Sequence, residues 1–251
     1  MAESVYVYGI VSAAARVPAA TGVEGSRTRT VEHRGLAALV SDLGSDSLAA
    51  AREVRAHWRV LDELSKEGTV LPVRFGTALE SDGAVRERLL EPNVDRLTAL
   101  LGELDGRAQL NVKGRYDEAR LLADIVATTP AIAALRERVR ALPSDAAYYH
   151  RIRLGEMVAD EIARRRERDE KRVLDQLEPL AVAARAEPPK GSDDAFNLAF
   201  LVERSRIDAF SAGVAKAGTE LADRVRIRYV GPVPPYSFAD TELSAASAQW
   251  A

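Results

Sequence analysis

The first strand-like segment of the chain is apolar on both of its faces. Residues 5–11 read VYVYGIV, and apolar or aromatic side chains fill most of the odd and the even positions of this segment. Because successive side chains of a strand point to opposite faces of its sheet, such a strand is buried on both sides. The segment therefore predicts a central strand in a sheet that is packed against helices.

A hairpin, a helix and an irregular strand are predicted next. Residues 28–32 and 36–42 flank a short turn that contains Gly35, which is typical of an antiparallel hairpin. The following helix extends to Lys66, and apolar residues at spacings of three and four predict its buried face. Residues 69–75 are β-like, but Pro72 cannot donate to a strand ladder and predicts an edge or irregular strand. The residues expected on the buried helix face are Val54, Trp58, Leu61 and Leu64.

The chain after Asp105 and Gly106 again mixes strands with helices, without an internal sequence repeat. We therefore expect an α+β protein with two domains, an N-terminal domain of residues 1–106 and a C-terminal domain of residues 107–251 that ends in a proline-rich tail. The elements expected after residue 106 are a strand over 107–113, short helices over 116–126 and 131–142, a long helix from about 145 to 186, a strand over 195–202, a helix over 204–218 and a strand over 224–230.

The middle of the predicted long helix carries an uninterrupted run of charge. Residues 164–172 (RRRERDEKR) are charged at every position, and an isolated buried charge is prohibitively unfavourable. We expect this stretch to be exposed to solvent and to bridge two packed helix ends. The alternative interpretation is an electrostatic docking surface for a partner.

The composition excludes several classes of site. The 251 residues include no Cys, which rules out disulfides, thiolate nucleophiles, Cys-ligated zinc and iron–sulfur clusters. Only three His are present, so a histidine-based metal site is poorly supplied and no cofactor is expected. With a formal net charge of −3, the chain lacks the overall positive potential of a dedicated nucleic-acid-binding protein. No run approaches the roughly 18 apolar residues of a membrane span, and no secretory signal is recognised, so we expect a soluble intracellular protein.

A search for catalytic motifs finds no constellation with a known reaction. The sequence contains no phosphate-binding Gly-rich loop and no nucleophile elbow. For both His57 and His150, a packed histidine is the default interpretation. Arg224, Arg226 and Arg228 alternate along a predicted strand as an ordinary solvent-exposed face, with phosphate contact as the alternative. No catalytic, cofactor-binding or metal-binding residue is therefore predicted.

Two segments are candidate structural or partner-binding sites. Residues 70–77 (VLPVRFGT) place a proline inside a strand and end in an Arg–Phe–Gly corner. Residues 231–238 (GPVPPYSF) form a rigid extended run whose two aromatic residues can fill pockets. Two interpretations stay open, a tail that packs back onto its own protein and a recognition surface for another chain. In either case, we expect Tyr236 or Phe238 to be substantially buried. The candidate residues are Arg74, Phe75, Gly76, Pro234, Pro235, Tyr236 and Phe238.

At these segments the chain resembles the gas vesicle protein F/L family (GvpL/GvpF). The matching pieces are residues 6–11 (YVYGIV), the helix that carries His57, residues 70–77 and residues 231–238. They occur in the expected order and cover essentially the whole chain. One departure is Val233, a position at which the resemblance predicts Trp.

The resemblance implies two α+β domains, the second with a modified ferredoxin-like fold; the long charged helix predicted above lies in this second domain and matches no motif of the family. It implies a non-enzymatic accessory protein of gas vesicle assembly in the cytoplasm, acting as a chaperone, a nucleation factor or a minor shell component. The implied partners are the small hydrophobic shell protein and other gas vesicle accessory proteins, with no nucleic acid and no membrane span.

Two competing functions are also considered. A ferredoxin-like scaffold hosts enzymes and ligand-binding regulators as well. Such a function calls for a deep pocket with convergent polar groups, and His57 or His150 in its lining would favour it. A nucleic-acid-binding module would instead use the arginine stripe at residues 224–228.

Overall fold

The chain forms two compact units that each combine a β-sheet with helices. The computed structural model describes residues 4–44, 51–143, 145–189 and 191–239. The first unit contains the residues up to Gln109 together with those from Gly231 onward, and the second unit is Leu110–Val230. The mixed helix and sheet content predicted from the sequence is confirmed.

Strand β1 lies inside the sheet of the first unit, as its two apolar faces predict. The strand order is β2-β3-β1-β4, and the short strand β5 also pairs with β1. All three partners of β1 run antiparallel to it, and residues 5–11 are buried. The elements of this unit are β1 (Ser4–Ser12), β2 (Arg29–His33), β3 (Leu36–Leu43), α1 (Ala51–Glu67), β4 (Leu71–Pro72), β5 (Ala78–Leu79), α2 (Asp82–Ala84) and α3 (Val94–Leu104).

Two backbone features shape this sheet. Arg34 and Gly35 connect β2 to β3 with φ angles of 45° and 81°, the positive values that a two-residue hairpin turn favours. In β1 the register against β3 shifts between Val7 and Gly9, and a Cβ atom at Gly9 would lie 2.9 Å from the Leu71 carbonyl oxygen. Glycine at this position lets β4 approach β1 closely. The predicted hairpin and the predicted irregular strand are both confirmed.

Helix α1 buries only part of the face that its apolar spacing predicts: Leu61 and Leu64 are buried as expected, whereas Val54 and Trp58 are not. Val54 and Trp58 are expected inside, but they are 36% and 43% exposed. Glu53 and His57 lie inside instead. Burial of the Glu53 carboxylate is possible because it accepts a hydrogen bond from the backbone N–H of Glu24 at 2.7 Å. The apolar residues buried on the same face are Ala56, Val60, Leu61 and Leu64.

The second unit contains a four-stranded sheet with the order β7-β8-β6-β9. Strands β7 and β8 are antiparallel, with Ala183 opposite Leu201. The core between sheet and helices is apolar, and the rings of Phe200 and Phe210 pack within it at 5.1 Å between centroids. The elements are β6 (Arg107–Tyr116), α4 (Glu118–Thr128), α5 (Pro130–Ala141), α6 (Tyr148–Leu177), β7 (Ala183–Ala186), β8 (Asp194–Glu203), α7 (Ile207–Glu220) and β9 (Val225–Val233).

The long helix is shorter than predicted, because its last part belongs to the sheet. Helix α6 ends at Leu177 rather than near residue 186, and Pro179 lies in the single turn that follows it. Pro179 has no backbone N–H to continue the helix. Residues 183–186 then form β7, whose ladder with β8 outweighs the helical propensity of three alanines. Of the helices in the described ranges, α6 included, none is long and apolar enough to cross a membrane.

The charged run of α6 is not exposed throughout. Asp169 is only 5% exposed, so the prediction of a fully solvated stretch is wrong at this position. Its carboxylate accepts hydrogen bonds from the Tyr116 hydroxyl at 2.9 Å and from Arg224 Nη2 at 2.8 Å. A buried charge is tolerated here because an opposite charge and a hydroxyl both satisfy it. Arg224 therefore does not belong to a solvent-exposed arginine stripe, which is reduced to Arg226 and Arg228.

Residues 231–238 pack against the first unit, as expected for a segment that ends in two aromatic residues. Phe238 is 8% exposed, and Tyr236 packs at the edge of the first unit's core. The compact units thus differ from the predicted domains of residues 1–106 and 107–251, because the contacts of this segment join it to the first unit. The domain boundary near residue 106 stays a prediction. The small and polar end of the predicted tail, residues 241–251, lies outside the described residues.

The ion pair of the buried Asp169 with Arg224 generates a stability prediction. Asp169→Asn removes the buried one of the two carboxylates that pair with Arg224, while the exposed Asp223 remains, and we expect the free energy of unfolding to fall by about 2 kcal/mol. Urea denaturation measures this change. Asp175→Asn on the same helix is the matched control, because its partner Lys171 is exposed and such pairs contribute less than about 1 kcal/mol. Equal losses in the two variants would contradict the assignment.

Candidate docking site around His57

The C-terminal segment is fixed to the first unit by a reciprocal pair of hydrogen bonds. The Gln109 side chain accepts from the backbone N–H of Ser237 at 2.9 Å and donates to the Ser237 hydroxyl at 3.0 Å. Pro234 and Pro235 are buried beside this clamp, and the Phe238 N–H closes a turn onto the Pro235 carbonyl at 3.0 Å. The segment is therefore held through both its backbone and its side chains.

The two candidate segments meet at His57. Its Nδ1 atom lies 2.9 Å from the Tyr6 hydroxyl, and its Nε2 atom lies 2.7 Å from the Tyr236 hydroxyl. Tyr236 in turn donates to the Val73 carbonyl at 3.2 Å, and the Gly76 N–H donates to the Tyr6 hydroxyl at 3.1 Å. One histidine of α1 thus connects β1, residues 73–76 and the C-terminal segment.

The partners of His57 determine its tautomer. The Tyr236 hydroxyl proton is used by the Val73 carbonyl, so this hydroxyl accepts a hydrogen bond from the Nε2–H group of His57. Nδ1 is then unprotonated and accepts from the Tyr6 hydroxyl. Every donor in this chain has an acceptor, and all bonds run in one direction from the Gly76 N–H to the Val73 carbonyl. The site is a satisfied, neutral hydrogen-bond chain.

Aromatic rings enclose this chain. The Phe75 ring is nearly perpendicular to His57 at 5.5 Å between centroids, and the Tyr8 ring is stacked on His57 at 5.7 Å. The Tyr8 hydroxyl is fixed in turn by the Val23 N–H at 2.7 Å. A Cβ atom at Gly22 would lie 1.9 Å from that hydroxyl, so only glycine fits there. We call the cluster of Tyr6, Tyr8, His57, Phe75 and Tyr236 the His57 cage.

Burial keeps the His57 cage uncharged at neutral pH. Burial lowers the pKa of His57 to about 4, because the charged imidazolium loses its hydration. Burial also raises the pKa of the Tyr6, Tyr8 and Tyr236 hydroxyls above the usual range. The cage therefore uses its polar atoms to hold segments together, and all of its hydrogen-bonding capacity is committed internally.

The outer side of the cage exposes apolar surface. The Trp58 ring packs against the Tyr236 ring at 4.8 Å between centroids, with the two ring planes tilted by 47°, yet 43% of the Trp58 surface remains accessible. Val54 lies one helical turn before Trp58 on the same face of α1 and is also exposed. We call Val54, Trp58 and the partly exposed ring of Tyr236 the Trp58 patch.

The predicted site residues divide between the interior and the surface. Arg74 and Gly76 are exposed and Phe75 is half-buried, whereas the C-terminal Pro234, Pro235 and Phe238 are buried. Tyr236 belongs to both the cage and the patch. Sequence reasoning missed His57 as the meeting point and placed Trp58 inside.

Other clefts of the described residues do not converge on a histidine. Four of the best-formed clefts have volumes of about 470–600 Å³, and neither His57 nor His150 lines any of these four. No group of three or more His, Asp or Glu side chains within the described ranges is arranged to hold a metal ion. A pocket lined by His57 or His150, which would favour a ligand-binding regulator or an enzyme, is thus not found among these clefts.

Comparison with known proteins assigns this fold and its two motifs to one family. The model of the gas vesicle synthesis proteins GvpL/GvpF matches residues 4–240. A gas vesicle protein F from Streptomyces sp. (strain CB03234) is 34% identical over 94% of this chain and 100% of that relative. A gas vesicle protein L from the same strain is 29% identical over 88% of this chain and 86% of that relative.

A solved structure agrees with this comparison. The crystal structure of the gas vesicle protein GvpF from Anabaena sp. PCC7120 matches with a TM-score of 0.81 and 26% identity, covering 95% of this chain and 98% of that chain. The fold and the sequence are thus those of a gas vesicle protein. The chain belongs to the GvpL/GvpF family, which confirms the resemblance seen in its motifs and gives it a gas vesicle-related role.

The Tyr236 hydroxyl is expected to stabilise the first unit. Tyr236→Phe leaves the Nε2–H group of His57 and the Val73 carbonyl without their partner, and we expect the free energy of unfolding to fall by about 2 kcal/mol. Tyr149→Phe makes the same chemical change on an exposed ring of α6 and should have no measurable effect. Chemical denaturation that failed to separate the two variants would contradict the role of the hydroxyl.

The lowered pKa of His57 generates a pH dependence. The unfolded chain binds a proton at His57 near its ordinary pKa of about 6.5, whereas the folded cage does so only near 4. The stability that neutral His57 contributes is therefore complete above pH 6.5 and falls by at most about 3 kcal/mol as the pH decreases to 4.

A non-titrating variant isolates this dependence. The variant His57→Gln has no imidazole to protonate. The difference in unfolding free energy between wild type and this variant should therefore shrink from pH 7 to pH 4. Leu122→Gln introduces glutamine at a residue of α4 that is 38% exposed; it is the control and should follow the pH dependence of the wild type. A constant difference between wild type and His57→Gln over this range would show that His57 is not buried in its neutral form.

Proposed function

We propose that this chain is a non-enzymatic accessory protein of gas vesicle assembly, which acts in the cytoplasm and binds the hydrophobic shell protein and other vesicle proteins. Membership of the GvpL/GvpF family supports the gas vesicle role. The observation that carries the binding role is the exposed Trp58, whose ring packs against a hydrogen-bonded Tyr236.

The Trp58 patch has the properties of a protein-binding hot spot. Tryptophan and tyrosine are enriched at such positions, because they bury large apolar areas at low conformational cost. The His57 cage holds Tyr236 in place before any partner binds, so little ordering is left for the binding step. Arg55 and Arg59 are exposed beside Val54 and Trp58 and provide a polar rim.

The chemistry of the partner matches this patch. A subunit that builds a gas-filled wall exposes apolar surface before assembly, and such surface aggregates unless it is covered. A protein with a local aromatic site and a charged exterior, such as this chain, can cover that apolar surface. It can also add the subunit to a growing wall in an ordered way. The contact between the Trp58 patch and the shell protein serves equally for each of the three proposed roles, which are chaperone, nucleation factor and minor shell component.

We also infer a modified ferredoxin-like fold for the second unit. Its order of one strand, helices, two strands, one helix and one strand follows the β-α-β-β-α-β pattern. The order β7-β8-β6-β9 places the first and third strands of that pattern in the middle of the sheet. The helices α4, α5 and α6 enlarge the first crossover and constitute the modification.

Substitutions in the Trp58 patch test the binding role. Val54→Lys places a charge in the patch on an exposed helical position, so we expect binding of the shell protein to weaken at least tenfold while the fold is kept. Trp58→Ala should weaken binding as strongly, with some loss of stability because Tyr236 loses the ring that packs against it. Copurification of the coexpressed shell protein and titration with the isolated one measure these effects.

A matched control distinguishes the patch from general surface effects. Leu122→Lys introduces the same charge at a residue of α4 that is 38% exposed, close to the 36% of Val54. This variant should bind the shell protein like the wild type. If Val54→Lys and Leu122→Lys bind equally well, or if the wild type does not bind at all, the proposed contact is wrong.

A further inference from the structure

Strand β9 forms a free edge of the sheet in the second unit. It is the last strand in the order β7-β8-β6-β9, so no strand of the described residues pairs with one side of its backbone. Within the described part of the chain, residues 226–230 make no backbone hydrogen bond outside their own sheet. In an edge strand, every second residue turns its N–H and C=O groups away from its neighbour. We call residues 226–230 the β9 edge.

The β9 edge carries positive charge on one face. Arg226 and Arg228 are exposed, and Lys113 is exposed on the neighbouring strand β6. No ion pair of these three side chains is found among the described residues. With Arg115 they line a cleft of about 470 Å³, whose one carboxylate, Asp194, is already paired with Arg115 at 3.3 Å. The cleft therefore lacks counter-charge for three cations.

The other face of the β9 edge is apolar. Ile227 and Tyr229 are half-buried and pack against the core of the second unit. The Tyr229 hydroxyl lies 3.1 Å from the Ser211 hydroxyl, which fixes the ring against α7. A segment that extends the sheet beside β9 would meet cations on one face and apolar side chains on the other, because cross-strand neighbours share a face.

A second copy of this chain does not fit this edge. Antiparallel pairing of two β9 edges would bring Arg226 and Arg228 of one copy beside those of the other. Like charges directly opposite each other in a ladder are destabilising, and basic residues on edge strands generally oppose self-association. The charge of the edge thus favours a foreign strand of the opposite sign.

We propose that the β9 edge binds an extended segment of a partner protein in which acidic residues alternate with apolar ones. The backbone groups provide ladder hydrogen bonds, Arg226 and Arg228 pair with the acidic residues, and the intervening apolar residues lie on the side of Ile227 and Tyr229. Pairing ends near Pro232, which has no N–H group. This site is separate from the Trp58 patch and does not rest on the proposed contact with the shell protein.

Synthetic peptides test the chemistry of this site in the full-length protein. The probe is a fluorescently labelled heptapeptide of alternating glutamate and valine, and fluorescence anisotropy measures its binding. We expect it to bind at least tenfold more tightly than a peptide of alternating lysine and valine. Methylation of alternate backbone nitrogens retains the charge but removes ladder donors, and it should weaken binding at least tenfold.

Charge reversal locates the site. In the double variant Arg226→Glu/Arg228→Glu we expect the acidic peptide to bind at least tenfold more weakly and the lysine peptide more tightly than in the wild type. Arg138→Glu/Arg140→Glu on helix α5 makes the same change of net charge and should leave both affinities unchanged. Circular dichroism and thermal unfolding confirm that each variant is folded.

Several outcomes would overturn the proposal. Equal binding of the acidic and lysine peptides, or binding of neither, would exclude charge-selective recognition. Full affinity of the methylated peptide would reduce the contact to surface attraction without strand addition. Tighter binding of a single-stranded oligonucleotide than of the acidic peptide, or self-association of the wild type that Arg226→Glu/Arg228→Glu changes, would assign the edge to a nucleic acid or to a second copy.

Discussion

The hydrogen-bond chain through His57 is the interaction on which the first unit depends. It joins a central strand, a helix, an irregular loop and the C-terminal segment through a single imidazole. Each hydroxyl in the chain both donates and accepts, so no member can be replaced by an apolar residue without leaving a buried polar atom unpaired. This requirement explains why β1 carries tyrosine at position 6, where phenylalanine would fill the same space.

The second unit depends on a buried polar interaction of a different kind. Asp169, Tyr116 and Arg224 fasten the middle of α6 to strand β6 and to the start of β9. The first unit uses neutral groups whose charged forms are disfavoured, whereas the second keeps a full charge pair. Each arrangement determines which face of its helix is buried. Apolar packing alone would define that face less strictly, because apolar contacts are not directional.

Local patterns predicted local structure well, and long-range contacts account for the differences. The alternation of apolar residues in β1 and the turn at Gly35 are properties of neighbouring residues, so the central strand and the hairpin followed from the sequence. The rotation of α1 depends on Glu53 and His57 finding partners 29 and 51 residues away, and β7 forms only because β8 supplies its ladder. For the same reason the motifs at 70–77 and 231–238 could be recognised separately, whereas their meeting point could not.

The wide separation of His57 and Tyr236, 179 positions along the chain, has a consequence during translation. The ribosome releases α1 long before it adds the residues that complete the first unit, so the nascent protein carries an open cage through most of its synthesis. The second unit, whose residues are contiguous, is available to fold in that interval. The aromatic surface formed by Trp58 and Tyr236 exists only on chains that have been translated as far as Tyr236, and products interrupted before that residue are therefore excluded from any activity that uses it.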